Sequence, residues 1–222
     1  MTWAIGVQTW NDPTTCIETL EALRQHLVGD HYLIVLDNGS DEPLTLPADP
    51  TRTVLRAPRN HGAGGGLSVL VEALLATGAD ALIYLEDDWT LERPLDLAVL
   101  NPFVADETVG QVRLGRRATT PPTKYFTYGF TGEESVVAAA QAITPLHTYP
   151  DGHYQRVRIL WSNNPFACLA SVARQFLLAG EDELRLSRRQ WSAGLWTIST
   201  TPGYFRHAGT IRERRERAGW KK

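Results

Sequence analysis

The sequence predicts an α/β fold, a mostly parallel central sheet with helices on both faces. Three observations carry that expectation. Over the first 90 residues, short apolar runs of strand character alternate with segments whose apolar residues recur at helical spacing. Two of the runs, in "LIVLDNGSDEP" (33–43) and "ALIYLEDDW" (81–89), end abruptly in acids, as buried strands do where a sheet meets a ligand-binding edge. The chain has 222 residues, 43% hydrophobic and 21% charged, enough to bury a full core in one domain.

Taken in order, "WAIGVQT" (3–9) is a strand, and "NDPTTCIETLEALRQHL" (11–27) a helix that Asp12 caps, with Pro13 at its first position. Ile17, Leu20, Leu23 and Leu27 share one face of it. "HYLIVLD" (31–37) and "TRTVLRA" (51–57) are the next strands. "HGAGGG" (61–66) leads into a helix carrying Leu67, Leu70, Val71, Leu74 and Leu75, which Gly78 stops. "DALIYLED" (80–87) is the fourth strand. Beyond residue 90 the pattern loosens. "RRATTPPTKYFTYGF" (116–130) reads as loop, "YQRVRILWS" (154–162) as strand, and "PFACLASVARQFLLAG" (165–180) and "EDELRLSRRQWSAG" (181–194) as helices. There is no internal repeat and no linker long enough to split domains.

Charge and composition exclude several classes. A net charge of −3 gives no general attraction to nucleic acid or anionic membrane. The tail "RERRERAGWKK" (212–222) has six basic residues against two acidic, a local +4 that leaves −7 for the rest, and reads as a solvated helical end. No apolar stretch is long enough for a transmembrane segment, and the start lacks a basic region before its apolar run, so a cytoplasmic protein is expected. Cys16 and Cys168 have no metal spacing and form no disulfide framework.

The chemistry gathers at the acidic strand ends. In "YLEDDWTL" three adjacent carboxylates repel one another unless a cation or solvent relieves them, and the apolar residues before them make solvation harder. Extended chain points Glu86 and Asp88 the same way, toward one shared ligand, with Asp87 facing away. Oxygen donors favour Mn²⁺ or Mg²⁺, usually shared with a substrate's phosphates. The glycines of "RNHGAGGG", Gly62, Gly64, Gly65 and Gly66, suit either backbone approach to a phosphate at a helix start or a flexible loop, because the cluster lacks both a P-loop lysine and a dinucleotide fingerprint.

Together, "GVQTWNDPTTCIETLEAL", "IVLDNGSDEP", "RNHGAGGG", "IYLEDDW" and "AGEDELRLSRRQWSAGLWTISTTPGYFRHAG" resemble, in order, the motifs of family 2 glycosyltransferases with the Rossmann-like GT-A fold. The likeness covers most of residues 3–90 and again about 161–209. It implies a single GT-A domain over 1–222, with a nucleotide-sugar-binding half in 1–90 and an acceptor-binding and catalytic-base half in 91–222. It further implies that Asp37 and Thr9 contact the nucleotide, joined by Asn60, Gly62, Gly64 and Asp87. Glu86 and Asp88 match the outer positions of the family's Asp-x-Asp motif, Glu86 departing from the usual aspartate, and His207 matches a histidine that joins the metal or the pyrophosphate. Asp182 matches the catalytic base, with Glu181 or Glu183 as substitutes. The implied donor is a nucleotide-sugar, a UDP-sugar first. The implied reaction is metal-dependent and inverting.

The acceptor falls to the unmatched region, where Tyr125, Phe126, Tyr128, Tyr149, Tyr154 and Trp161 suit stacking on sugars or bases. With the basic tail they leave modified DNA open as an acceptor, as in a phage-type transferase acting on a hydroxymethylated base. Two other classes compete. A nucleotidyltransferase would share the parallel sheet and acidic site but attack phosphorus, and a non-catalytic nucleotide- or carbohydrate-binding relative would keep Asp37 and gain little from "EDD" and "GEDE".

Overall fold

The computed structural model describes residues 1–116, 147–149, 152–157, 161, 164–201 and 203–207. The chain runs β1 (Trp3–Thr9), α1 (Pro13–His26), β2 (Leu27–Val28), β3 (His31–Asp37), β4 (Arg52–Arg56), α2 (Gly62–Ala76), β5 (Ala81–Glu86), β6 (Trp89–Leu91), β7 (Leu95–Asp96) and α3 (Leu97–Val104). It continues through β8 (Val109–Arg113), β9 (Gly115–Arg116), β10 (His147–Tyr149), β11 (Gly152–Val157), β12 (Phe166–Leu169), α4 (Ala170–Phe176), α5 (Glu183–Ser192), β13 (Trp196–Thr201) and β14 (Phe205–His207).

The main sheet has the order β10-β11-β13-β8-β12-β5-β1-β3-β4. Its β5-β1-β3-β4 portion is parallel throughout, the expected topology, and β13 is parallel to β8. β12 inserts antiparallel to both β5 and β8. β1 is buried at every position, since strands covered on both faces need apolar side chains on each.

The two faces carry separate cores, as alternation along a strand requires. On one, Trp3, Ile5 and Val7 meet Cys16, Leu20 and Leu23 of α1 and Leu97, Leu100 and Phe103 of α3. On the other, Ala4, Ile34 and Leu36 meet Leu67, Leu70 and Leu74 of α2, Phe176 of α4 and Leu186 of α5. Each fully buried leucine or isoleucine contributes about 1.5–3 kcal/mol by leaving water.

Local signals decide most boundaries. Asp12 caps α1 by accepting the Thr15 amide at 3.0 Å, with Pro13 in the first turn. That helix stops at His26, and Leu27 leaves the expected apolar stripe to pair with Leu95 in a two-strand ladder. Two further expectations change. "FACL" (166–169) is a strand, because it fills the gap between β5 and β8, and the helix begins only at Ala170. The glycines of "HGAGGG" are not a loop before α2 but its first turns. Among the described residues no helix is long and apolar enough to cross a membrane.

Candidate active site

Parallel pairing sets the strand ends level. Thr9 of β1 is in register with Asp37 of β3, and Gln8 with Glu86 of β5, so the acids that end β3 and β5 open on one edge. The edge continues beyond the ladders, where the Asn38 amide donates to the Thr9 carbonyl at 2.8 Å and the Asp87 amide to the Gln8 carbonyl at 2.9 Å.

A cleft of about 440 Å³ opens there, lined by Thr9, Asn11, Asp12, Pro13 and the segment from Ser40 to Thr45. Asp37 is 1% exposed and does not line it. Its Oδ1 accepts the Ser40 amide at 2.8 Å, and its Oδ2 accepts the Leu44 amide at 3.0 Å and Arg56 Nη1 at 2.6 Å. Arg56 Nη2 also donates to the Ser40 carbonyl at 2.7 Å. Asp37 and Arg56 therefore shape the cleft wall from beneath. Burial disfavours the Asp37 charge, but the Ser40 hydroxyl and amide, the Leu44 amide and Arg56 outweigh it and hold the carboxyl below its usual range. Across the mouth, Asn11 Nδ2 donates to Asp41 Oδ2 at 2.9 Å and the Asp41 amide returns a bond to Asn11 Oδ1 at 2.8 Å, tying the two rims together.

Asn60, Gly62 and Gly64 lie next along the edge. Asn38 Nδ2 donates to Asn60 Oδ1 at 3.2 Å and to the Gly62 carbonyl at 3.1 Å, so the start of α2 is fastened to the loop after β3. Gly39 has φ +73°, and a Cβ there would fall 2.1 Å from the Arg59 carbonyl carbon, which leaves glycine alone able to occupy it. Close packing explains the glycines inside α2. A Cβ on Gly66 would lie 2.7 Å from Asn38 Nδ2 and from Gln8, and one on Gly64 would lie 2.9 Å from the Glu181 carbonyl oxygen. The glycine-rich turn thus brings the segment before α5 against the same edge, a bond from Ser68 Oγ to the Leu178 carbonyl at 2.7 Å reinforcing it.

The three acids after Tyr84 take separate environments. Asp87 Oδ2 accepts the Thr9 hydroxyl at 2.5 Å. Asp88 is fully buried, and its Oδ2 lies 2.5 Å from His207 Nε2. A second sheet, ordered β6-β14-β9, makes that contact by pairing His207 with Trp89, whose ring meets the imidazole edge-on at 4.9 Å between centroids. Glu86 ends β5, while Asp87 and Asp88 form a turn, so the alternation that would have aimed Glu86 and Asp88 together lapses. Among the described residues no three His, Cys, Asp or Glu side chains form a metal-holding group; Asp88 and His207 are the pair brought together. Tyr84 donates to Gln8 Oε1 at 3.2 Å, and burial, then the charges of Glu86, Asp87, Asp88 and Glu183, push its phenol well above the usual value.

Asp182 caps α5, its Oδ1 accepting the Arg185 amide at 2.9 Å, with the side chain 63% exposed. Glu181 Oε2 accepts Arg189 Nη1 at 2.6 Å. Within "GEDE", Glu181 is thus anchored by Arg189 and Asp182 is exposed at the helix cap. Of the aromatic residues expected at the acceptor, Trp161 is buried and packs on Phe166 with ring centroids 4.5 Å apart, a core role. Tyr125, Phe126, Tyr128 and the basic tail lie outside the described residues.

Thr19, Arg56 and Tyr84 were not singled out in the sequence. A threonine inside an otherwise apolar helical stripe beside Cys16, Leu20 and Leu23 was the one available signal for Thr19. Nothing local distinguishes Arg56.

This arrangement is the GT-A glycosyltransferase fold. Mannosyltransferase PcManGT from Pyrobaculum calidifontis, solved with GDP-Man and Mn²⁺, aligns with TM-score 0.60 at 16% identity over 95% of this chain and 57% of that one. S. aureus TarS 1–349, solved with UDP, aligns with TM-score 0.57 at 12% identity over 97% of this chain and 63% of that one. By sequence, 100 residues are 29% identical to galactofuranosyltransferase GlfT2 of Mycolicibacterium smegmatis, covering 40% of this chain and 16% of that protein. The chain spans less than two thirds of each of these proteins. No family model matches the sequence.

Proposed function

We propose that the protein is an inverting glycosyltransferase that moves a sugar from a nucleotide-sugar donor, a UDP-sugar first, to an acceptor hydroxyl with Mn²⁺ or Mg²⁺ bound. The observation that carries this reading is the convergence of Asp88 and His207, from distant parts of the chain, at the end of β5, where the neighbouring Asp87 holds Thr9 of the cleft wall. Support comes from neighbours of the same fold solved with UDP or with GDP-Man and Mn²⁺.

Thr9 and the wall from Ser40 to Thr45 receive the nucleobase, with Asp37 and Arg56 shaping that wall. Asp87 holds Thr9, and Asn60 and Gly62 line the path toward the diphosphate. The donor set fits a cation. A carboxylate oxygen and an imidazole nitrogen leave further positions for diphosphate oxygens, and the nitrogen favours Mn²⁺ over Mg²⁺. When bound, the ion would stabilise the charge developing on the leaving diphosphate. Asp182 accepts the acceptor's hydroxyl proton. The oxygen then attacks the anomeric carbon opposite the departing phosphate, the carbon–oxygen bond to phosphate breaks with its electron pair, and one displacement inverts the centre. High exposure lets Asp182 meet an acceptor from solvent. The acceptor class, modified DNA included, is left to screening.

The test is a thermal-shift panel of UDP, GDP, dTDP and CDP and their sugars, each with Mn²⁺, Mg²⁺ or EDTA. A metal-dependent rise with one nucleoside diphosphate is expected, because a ligand that binds only the folded state raises apparent stability. No rise with any of them, from folded protein, would overturn the assignment.

A further inference from the structure

The turn that carries Asp88 is held by a residue with no place in the chemistry above. Thr19 sits on the buried face of α1 and is wholly enclosed. Its hydroxyl donates to the Asp87 carbonyl at 2.6 Å, with the Trp89 carbonyl a weaker second acceptor at 3.4 Å. Those two carbonyls bracket Asp88 in the chain. From the β1 side, the Gln8 carbonyl accepts the Asp87 amide at 2.9 Å and the Thr9 hydroxyl donates to the Asp87 carboxylate at 2.5 Å. The Asp87 carbonyl lies in the turn between β5 and β6, outside either strand, and the Thr19 hydroxyl supplies it with a donor. The same bond fixes the peptide orientation on one side of Asp88, and with it the direction in which that carboxylate leaves the backbone.

We propose that Thr19 is a positioning residue for the cation site, holding the Asp87–Trp89 turn so that Asp88 meets His207. The inference rests on reading that pair as the centre that binds the cation and the diphosphate. An outer contact of this kind governs affinity for the metal rather than for the nucleotide alone. Thr19→Val keeps the shape and removes the donor; Thr19→Ser keeps the donor.

Mn²⁺ is titrated into the full chain with saturating UDP, free Mn²⁺ being followed by electron paramagnetic resonance, and UDP binding is measured separately in EDTA. Thr19→Val is expected to weaken Mn²⁺ binding about 10-fold, the low end for lost outer-shell partners, with UDP binding in EDTA unchanged and Thr19→Ser close to wild type. Mn²⁺ binding by Thr19→Val equal to wild type would overturn the role. So would an equal loss of UDP binding in EDTA, which would mark Thr19 as general packing. Should the wild type itself bind no Mn²⁺ beside UDP, the cation reading falls and the inference with it. That outcome is visible in the wild type alone.

Discussion

Two runs of three acids, Glu86–Asp88 and Glu181–Glu183, look alike in composition and live in opposite surroundings. The first ends a buried strand. Asp87 and Asp88 are almost wholly buried, and Thr9, Thr19 and His207 fix their directions. The second opens a surface helix, where Asp182 stays exposed while capping its first turn. Carboxylates that are locked in place suit a bound cation, whereas a carboxylate at the surface suits a proton transfer to a partner that arrives and leaves. Position along an element separates the two more sharply than residue type.

The largest effect should come from the exposed run. Asp182→Asn keeps a good helix cap and removes the proposed base, so transfer is expected to fall about 10²–10⁴-fold while Tm and nucleoside diphosphate binding hold. Retained transfer in steady-state assays would move the base to Glu183 and would blur the division between the runs. In the buried run, Asp88→Asn should cost about 10²–10³-fold in transfer and abolish the difference between Mn²⁺ and EDTA in nucleotide binding. A metal-dependent shift that survives this change would break the comparison at its other end.

A third acid, Asp37, tests whether burial by itself makes a carboxylate structural. Its bonds to Ser40, Leu44 and Arg56 hold the folded carboxyl below the unfolded value of about 3.9. A lowered folded value stabilises the protein above the unfolded one, and that stability drains as pH falls through the folded one. Asp37→Asn is therefore expected to lower stability by about 1–2 kcal/mol at pH 7, a charge-assisted bond discounted for the partly exposed Arg56. The gap should close as pH falls below about 4, read from urea midpoints at each pH. A gap that stays constant with pH would show that the charge of Asp37 contributes nothing to the cleft wall.

Much of the fold was legible in the chain. Asp12 and Pro13 announce α1, the apolar runs of β1, β3 and β5 announce buried parallel strands, and the acids after them announce the edge that carries the candidate site. "FACL" misled because its continuation into α4 is apolar on both sides of the boundary, and only the vacant position between β5 and β8 makes it a strand. The glycines misled for a related reason. Sequence shows that a Cβ is missing at Gly64 and Gly66, but not that Glu181, Asn38 and Gln8 stand where it would have been.

By itself, then, the sequence determined which segments are buried, where they stop and which acids end them, because burial periodicity and capping are local properties of the chain. Tertiary structure alone decided which acid faces what. His207 reaches Asp88 through the pairing of β14 with β6, and Thr19 reaches the Asp88 turn from α1, which shares a core with Trp89 and Leu91 of β6. Contacts between residues far apart in sequence leave no period or spacing to read, and they exist only once the strands have chosen their neighbours.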